Sequence, residues 1–283
     1  MAEAVSALEF EPLNGALGVE VRGLDLSKPL PSGDRRLLLQ AYRDHHLLYL
    51  HCPGLSGDAQ LGFAEIFGPP FDERPGEFLQ YVSNVRADRI IDEGALLFHS
   101  DLAFTPQPTL GLSLFALEIP ASGASTSFAN AERAWARLPE ALRARLDGLH
   151  ARHLFDLTTQ RGDVPYRDAK LPDREPRARH PVCLRDSSSG RGILYVSRMQ
   201  TDRILELAPA ESDALLEELF AELYAPQNVY EHRWGEGDLL VWNNLALQHA
   251  RPDMPDREAR TLRRVTLARE GVAGQVEGFG QAR

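Results

Sequence analysis

The sequence predicts a mainly β protein of jelly-roll type, a double-stranded β-helix with helices decorating it. Three observations point there. Short apolar stretches recur between Gly, Pro, Asn and Asp turn signals; the helical patterns gather near the start and in insertions; and strands and helices nowhere alternate in the βαβ manner that a parallel sheet requires. With 283 residues, 43% of them hydrophobic, the chain can bury a full core, and it reads as a single domain over 1–283 without internal repeats.

Taken in order, residues 8 to 30 alternate apolar pairs with turns, as in Leu17-Gly18-Val19-Glu20-Val21-Arg22-Gly23, and predict strands. Ser32-Gly33-Asp34 predicts the cap of a helix running through Leu37, Leu38 and Tyr42, and Leu47-Leu48-Tyr49-Leu50-His51 a buried strand. Ser56-Gly57-Asp58 opens a second helix carrying Leu61, Phe63, Ala64 and Phe67, stopped by Gly68-Pro69-Pro70. Tyr81 to Val85 resumes as strand, and Ile90 to Gly94 reads as a loop.

Pro106 and Pro108 interrupt regular pairing because proline lacks a ladder donor, and strand text returns at Leu110 to Leu117. Gly123 to Phe128 is expected to turn and pair back, after which Asn130 caps a helix with Ala134, Trp135 and Leu138. Pro139-Glu140-Ala141-Leu142 begins another helix. Residues 158–181 carry ten charged side chains interrupted by Pro165, Pro172 and Pro176, the composition of a lid that closes over a site.

Strands are then expected at His180 to Leu184 and Gly192 to Val196, and a helix from about Ser212 with Leu215, Leu216, Leu219 and Phe220 as its packed stripe. Val229 to Trp234, Leu239 to Trp242 and Arg263 to Leu267 supply the closing strands, and the Gly-rich end from about 271 reads as a loose tail.

A formal charge of -10 and a pI near 5.4 provide no net field for nucleic acid or an anionic membrane, so an anionic ligand needs a local cluster of cations. Lys28 and Lys170 are the only lysines, and the abundant arginine suits bidentate recognition of carboxylates. Cys52 and Cys183 form neither a disulfide framework nor a metal spacing, and read as thiols of a reducing cytoplasm. No apolar run approaches the ~20 residues of a membrane span, and no targeting pattern opens the chain. The expectation is a soluble cytoplasmic protein acting on a small molecule; homo-oligomer formation stays open.

The chemistry centres on Phe98-His99-Ser100-Asp101. Strand periodicity turns His99 and Asp101 to one side, and His249, far along the chain, is placed to add a second imidazole. Two histidines and one carboxylate on one face of an octahedron leave three positions open, the arrangement of non-haem Fe(II) oxygenases.

The whole chain resembles the taurine dioxygenase and phenoxyacetate dioxygenase family of Fe(II)- and 2-oxoglutarate-dependent oxygenases. The likeness runs from Gly18-Val19-Glu20-Val21-Arg22-Gly23-Leu24-Asp25-Leu26-Ser27, through Phe67-Gly68 and the His-x-Asp block, to Gly237-Asp238-Leu239-Leu240-Val241-Trp242-Asn243-Asn244 and the arginines after His249. It implies a cupin-like jelly roll with His99, Asp101 and His249 as iron ligands. Thr126, 27 residues after His99, and Arg264, 15 after His249, would hold 2-oxoglutarate, Arg264 through the far carboxylate.

The family spends O2 and 2-oxoglutarate, releases succinate and carbon dioxide, and oxidises a C–H bond, most often to an alcohol. Arg260 is the candidate for an anionic group on the substrate, with Phe104, Phe155 and Arg198 as further pocket residues. Pro70 and Ala95 stand where taurine enzymes carry His and Asn, which argues against taurine; Asp101 argues against halogenation. Phe98 and Asn243-Asn244-Leu245 depart from the family's usual Trp and Asp-Asn-Arg beside the ligands, and Asn243 and Asn244 read as turn and supporting hydrogen-bond residues. The competing readings are desaturation or oxidative rearrangement by the same iron chemistry, and a non-catalytic jelly roll that binds a small carboxylate.

Overall fold

The computed structural model describes residues 8–72, 76–91, 95–155, 177–252 and 258–269. Two sheets carry the architecture. The larger orders Glu9–Pro12, Val19–Arg22, Leu47–His51, Asp238–Asn243, Gly111–Glu118, Thr261–Leu267, Gln80–Ser83 and Arg89–Ile91, with Pro70–Phe71 also paired to Thr261–Leu267. The smaller orders Val229–Arg233, Ser125–Asn130, Leu247–Arg251 and Leu96–His99.

Alternation assigns the two faces of the larger sheet. Leu239 and Val241 join Leu48, Leu50 and Val265 against helices Ser32–His45 and Gly57–Ala64, whereas Leu240 and Trp242 join Leu112, Leu114 and Leu262 in a second cluster with Phe128 and Leu247 of the smaller sheet. A strand buried on both faces reads as a continuous apolar run, which is why Leu239 to Trp242 shows no polar alternation. The site lies in the layer between the sheets, beside Trp242, whose ring is 5.3 Å from Phe128 and 5.2 Å from His249. A third cluster packs the outer side of the smaller sheet through helices Ala131–Arg137 and Pro209–Leu223 and a three-stranded sheet of Arg177–Pro181, His150–Leu154 and Thr201–Ile204.

Several local expectations hold. Ser56 accepts from the Ala59 amide and Asn130 from the Arg133 amide, each capping its helix, and the Leu215, Leu216, Leu219 and Phe220 stripe is buried. The tight turn before Asp238 needs glycine, because Gly237 has φ +85 and a Cβ there would meet the Pro53 backbone at 3.0 Å.

Others are corrected. Pro31, with no side-chain bond, precedes the first helix in place of a Ser32 cap. The Ile90 to Gly94 loop begins as strand, since Arg89–Ile91 extends the larger sheet in parallel with Gln80–Ser83. Ser125–Asn130 does not pair back on its predecessor; it crosses to the smaller sheet and lies between Val229–Arg233 and Leu247–Arg251, as closing a two-sheet sandwich requires. Of the expected lid, 158–176 falls outside the described residues, as does the tail, and Arg177–Pro181 is strand, paired with His150–Leu154.

Candidate metal centre

His99 closes the Leu96–His99 strand and His249 sits opposite it in Leu247–Arg251, with ring centroids 4.2 Å apart. Asp101 lies beyond the strand end, in a turn where Leu102 adopts φ +57. Its convergence with His99 therefore comes from the turn, not from the strand continuing with period two. His99 Nε2 is 3.2 Å and His249 Nε2 3.5 Å from Asp101 Oδ1, and the three donor atoms fall within 4.8 Å of one another.

These separations fit a transition-metal ion. Bonds of about 2.1 Å place adjacent corners of an octahedron about 3.0 Å apart, close to the two edges observed. The donor chemistry fits as well. The Nδ1–H of His99 donates to the Leu97 carbonyl at 2.8 Å, which leaves the Nε2 lone pair for a ligand bond. Burial, then the neighbouring His99 and Arg264, push the His249 pKa down to about 3 against the pull of Asp101, so its ring is neutral at physiological pH. Burial works against the Asp101 charge, but Arg264 and the two histidines outweigh it and hold the carboxyl far below the usual carboxylate range.

The surroundings hold Asp101 from several sides. Arg264 donates to Asp101 Oδ2 at 2.7 Å and to Gln80 Oε1 at 2.9 Å. Asn244, fully buried, accepts from the Asp101 amide at 2.9 Å and donates to the Asp101 carbonyl at 3.0 Å and to Thr109. Asn243 caps its own turn by accepting from the Leu245 and Ala246 amides. The roles expected of both asparagines are thus observed. Gln80 and Thr109 went unread, because nothing in their local sequence indicates that they meet residues 184 and 135 positions away.

Thr126 is buried on the inner face of Ser125–Asn130, where Oγ1 accepts from Trp234 Nε1 at 2.9 Å. Arg260 is 3% exposed, and among the described residues its guanidinium has no hydrogen-bond partner. Burial, then the charge of Arg251, push its pKa down to about 9, which leaves it charged at neutral pH. Phe104 and Phe155 pack at 4.8 Å in a small apolar cluster with Phe71, Leu102 and Ala268, directly after the Asp101 turn. Arg198 is not brought to the centre: its guanidinium pairs with Glu217 at 2.9 Å on the surface and lies over Phe220.

The model of the taurine catabolism dioxygenase TauD, TfdA family matches residues 9–266. The chain belongs to that family. Among its relatives, the α-ketoglutarate-dependent 2,4-dichlorophenoxyacetate dioxygenase of Cupriavidus pinatubonensis is 29% identical over 92% of this chain and 98% of its own. The α-ketoglutarate-dependent sulfate ester dioxygenase of Pseudomonas putida is 30% identical over 98% and 96%. Among solved structures, AAD-2 in complex with Mn(II) and N-oxalylglycine superposes with a TM-score of 0.79 at 25% identity, covering 93% of this chain and 97% of that one. These place the fold with the jelly-roll dioxygenases. The protein is an Fe(II)- and 2-oxoglutarate-dependent oxidoreductase that also uses O2. No helix among the described residues is long and apolar enough to cross a membrane.

Proposed function

We propose that the protein hydroxylates a small organic substrate with an anionic group and an apolar body, binding Fe(II) through His99, Asp101 and His249. The observation that carries this reading is the meeting of three donor atoms, His249 from far along the chain with His99 and Asp101, within 4.8 Å, with both histidine nitrogens near an octahedral edge length from Asp101 Oδ1. When bound, iron supplies the redox capacity that couples oxidation of 2-oxoglutarate to succinate and carbon dioxide with oxidation of the substrate. The chain's own residues orient the participants. Arg264 takes Asp101 Oδ2, so the carboxylate offers Oδ1 to the metal.

On sequence grounds Arg264 is the anchor of 2-oxoglutarate. Its guanidinium already serves Asp101 and Gln80, whereas the Arg260 guanidinium is buried, charged and without a hydrogen-bond partner among the described residues. A ligand carboxylate supplies what Arg260 lacks, through the charge-assisted fork that arginine favours. We therefore assign the far carboxylate to Arg260 with Thr126. Arg264, beside the metal corner, becomes the fixed charge nearest the substrate's anionic group, and Phe104 and Phe155 offer its apolar body a wall.

The test incubates the protein with Fe(II), O2, 2-oxoglutarate and a panel of aryl and alkyl carboxylates, sulfonates and sulfate esters, with succinate and product mass as readouts. A product heavier by one oxygen supports hydroxylation, and one lighter by two hydrogens shows desaturation. Stoichiometric metal binding without succinate from any substrate would sink the catalytic reading in favour of a carboxylate-binding jelly roll.

A further inference from the structure

Thr126 Oγ1 has a single protein partner among the described residues, the indole N–H of Trp234 at 2.9 Å. An indole N–H only donates, so Oγ1 is the acceptor, and one of its two lone pairs is taken. The hydroxyl hydrogen is thereby directed away from the indole, and among the described residues it has no protein acceptor. Accepting one hydrogen bond also strengthens the bond a hydroxyl donates, because the two polarise each other.

The sheet register shows what lies nearby. Ser125–Asn130 runs antiparallel to Leu247–Arg251, with His249 opposite Phe128 and Ala250 opposite Ser127. The ladder ends there, next to Thr126 on one strand and Arg251 on the other, and the Arg251 charge acts on Arg260. Thr126 is buried, two residues along the same face from Phe128, the cross-strand partner of His249. A carboxylate would supply the acceptor its hydroxyl lacks.

Trp234 is itself fixed from behind. Its amide donates to the Ala124 carbonyl at 2.9 Å, and its ring meets His232 edge to face at 4.8 Å. His232, the cross-strand partner of Thr126, is held at 3.1 Å by Asp238 Oδ2, which also accepts the Gly235 amide at 2.7 Å. The other oxygen of Asp238 accepts from the Tyr49 hydroxyl at 3.1 Å and lies 3.0 Å from His51 Nδ1. None of these groups belongs to the His99, Asp101 and His249 cluster.

Resting on the assignment of Thr126 above, we propose that Trp234 is a positioning residue for the co-substrate. Its N–H orients the Thr126 hydroxyl so that it donates to the far carboxylate of 2-oxoglutarate.

Calorimetric titration of manganese-loaded protein with 2-oxoglutarate tests this. Trp234→Phe keeps an apolar ring and removes the donor, and the Kd for 2-oxoglutarate should rise about five-fold while the Kd for Mn(II) stays unchanged. Thr126→Val should show a rise of the same order, and Trp234→Phe should add nothing in that background. In Thr126→Ser, which keeps the hydroxyl, the effect of Trp234→Phe should persist.

A second readout needs no change at Trp234. With indole 15N labelling of zinc-loaded wild type, the Trp234 N–H resonance should move on adding 2-oxoglutarate, and in Thr126→Val the shift should be lost. Equal 2-oxoglutarate binding by wild type and Trp234→Phe, additive effects of the two substitutions, or an unmoved indole signal would each remove the positioning role. Failure of the wild type to bind 2-oxoglutarate would instead bring down the reading of the site, and this role with it.

Discussion

Replacing Arg260 by Met removes a charge while keeping most of the side-chain volume, and it should move binding and stability in opposite directions. Arg260 is 3% exposed, its guanidinium has no hydrogen-bond partner among the described residues, and it feels the like charge of Arg251. A charge-assisted hydrogen bond contributes about 1.5–3 kcal/mol, so losing it should raise the 2-oxoglutarate requirement roughly 10- to 150-fold. The ligand-free fold, by contrast, carries a buried charge with no counter-ion bonded to it among the described residues, and relief of that cost should raise the melting temperature by about 2–4 °C for each kcal/mol recovered. The assay is succinate formation against 2-oxoglutarate concentration, paired with thermal melts of metal-free protein. An unchanged requirement in Arg260→Met, together with a steep rise in Arg264→Met at intact metal affinity, would return the anchor to Arg264. A fall in both binding and melting temperature would mean that Arg260 serves the fold.

Four further outcomes are expected. Arg264→Met breaks a buried pair, and should destabilise the protein by about 3–5 kcal/mol and weaken Mn(II) binding; calorimetry showing wild-type metal affinity would contradict its hold on Asp101. His99→Ala should abolish stoichiometric metal binding and, with it, succinate formation, and a variant that still titrates one metal per chain would remove that ligand. Asn244→Ala strands the Asp101 amide and carbonyl, so urea unfolding should show a loss of about 2–4 kcal/mol, accompanied by weaker metal binding. For pH, His153 and His249 are both held near 3, chiefly by burial and then by a neighbouring histidine, whereas the unfolded chain protonates them near 6.5. The unfolded state thus binds protons that the fold refuses, and metal-free stability should fall as pH drops from 6.5 toward 3, by about 1.4 kcal/mol per pH unit for each histidine. His153→Leu should remove one such contribution, and an unaltered slope would refute the assignment.

What could be read from the residues alone follows a physical divide. The apolar runs of Leu47 to Leu50 and Leu239 to Trp242 announce buried strands, because both faces of the larger sheet are covered and every position must be apolar. The convergence of His99, Asp101 and His249 was legible because His99 and Asp101 stand two apart and His249 carries arginines behind it. Leu247–Arg251 itself was not recognised as strand: its inner positions His249 and Arg251 are polar, and that polarity erases the alternation that would announce it. His150–Leu154 was hidden in the same way by Arg152 and His153. Partner choice lay further out of reach. Spacing from His249 points to Arg264 as the 2-oxoglutarate anchor, and only the tertiary structure brings Asp101 and Gln80 to Arg264 and leaves the Arg260 guanidinium without a hydrogen bond among the described residues. The same holds for Trp234 and Thr126, which lie 108 positions apart.

The three proposed ligands are not equally well secured, and this bears on where the centre should fail first. His99 and His249 are direct partners in an antiparallel ladder, so their separation is set by the spacing of two hydrogen-bonded strands, which side-chain substitutions nearby alter little. Asp101 has no ladder. It follows a strand end and precedes a residue at φ +57, so its position depends on Asn244, Thr109 and Arg264, and on Gln200, whose side chain accepts from the Ser100 amide at 3.3 Å. Those residues come from four separate segments, each packed in its own part of the fold. Loosening any of those segments should therefore displace the carboxylate before it separates the histidines, and metal affinity should decline before the protein loses its fold.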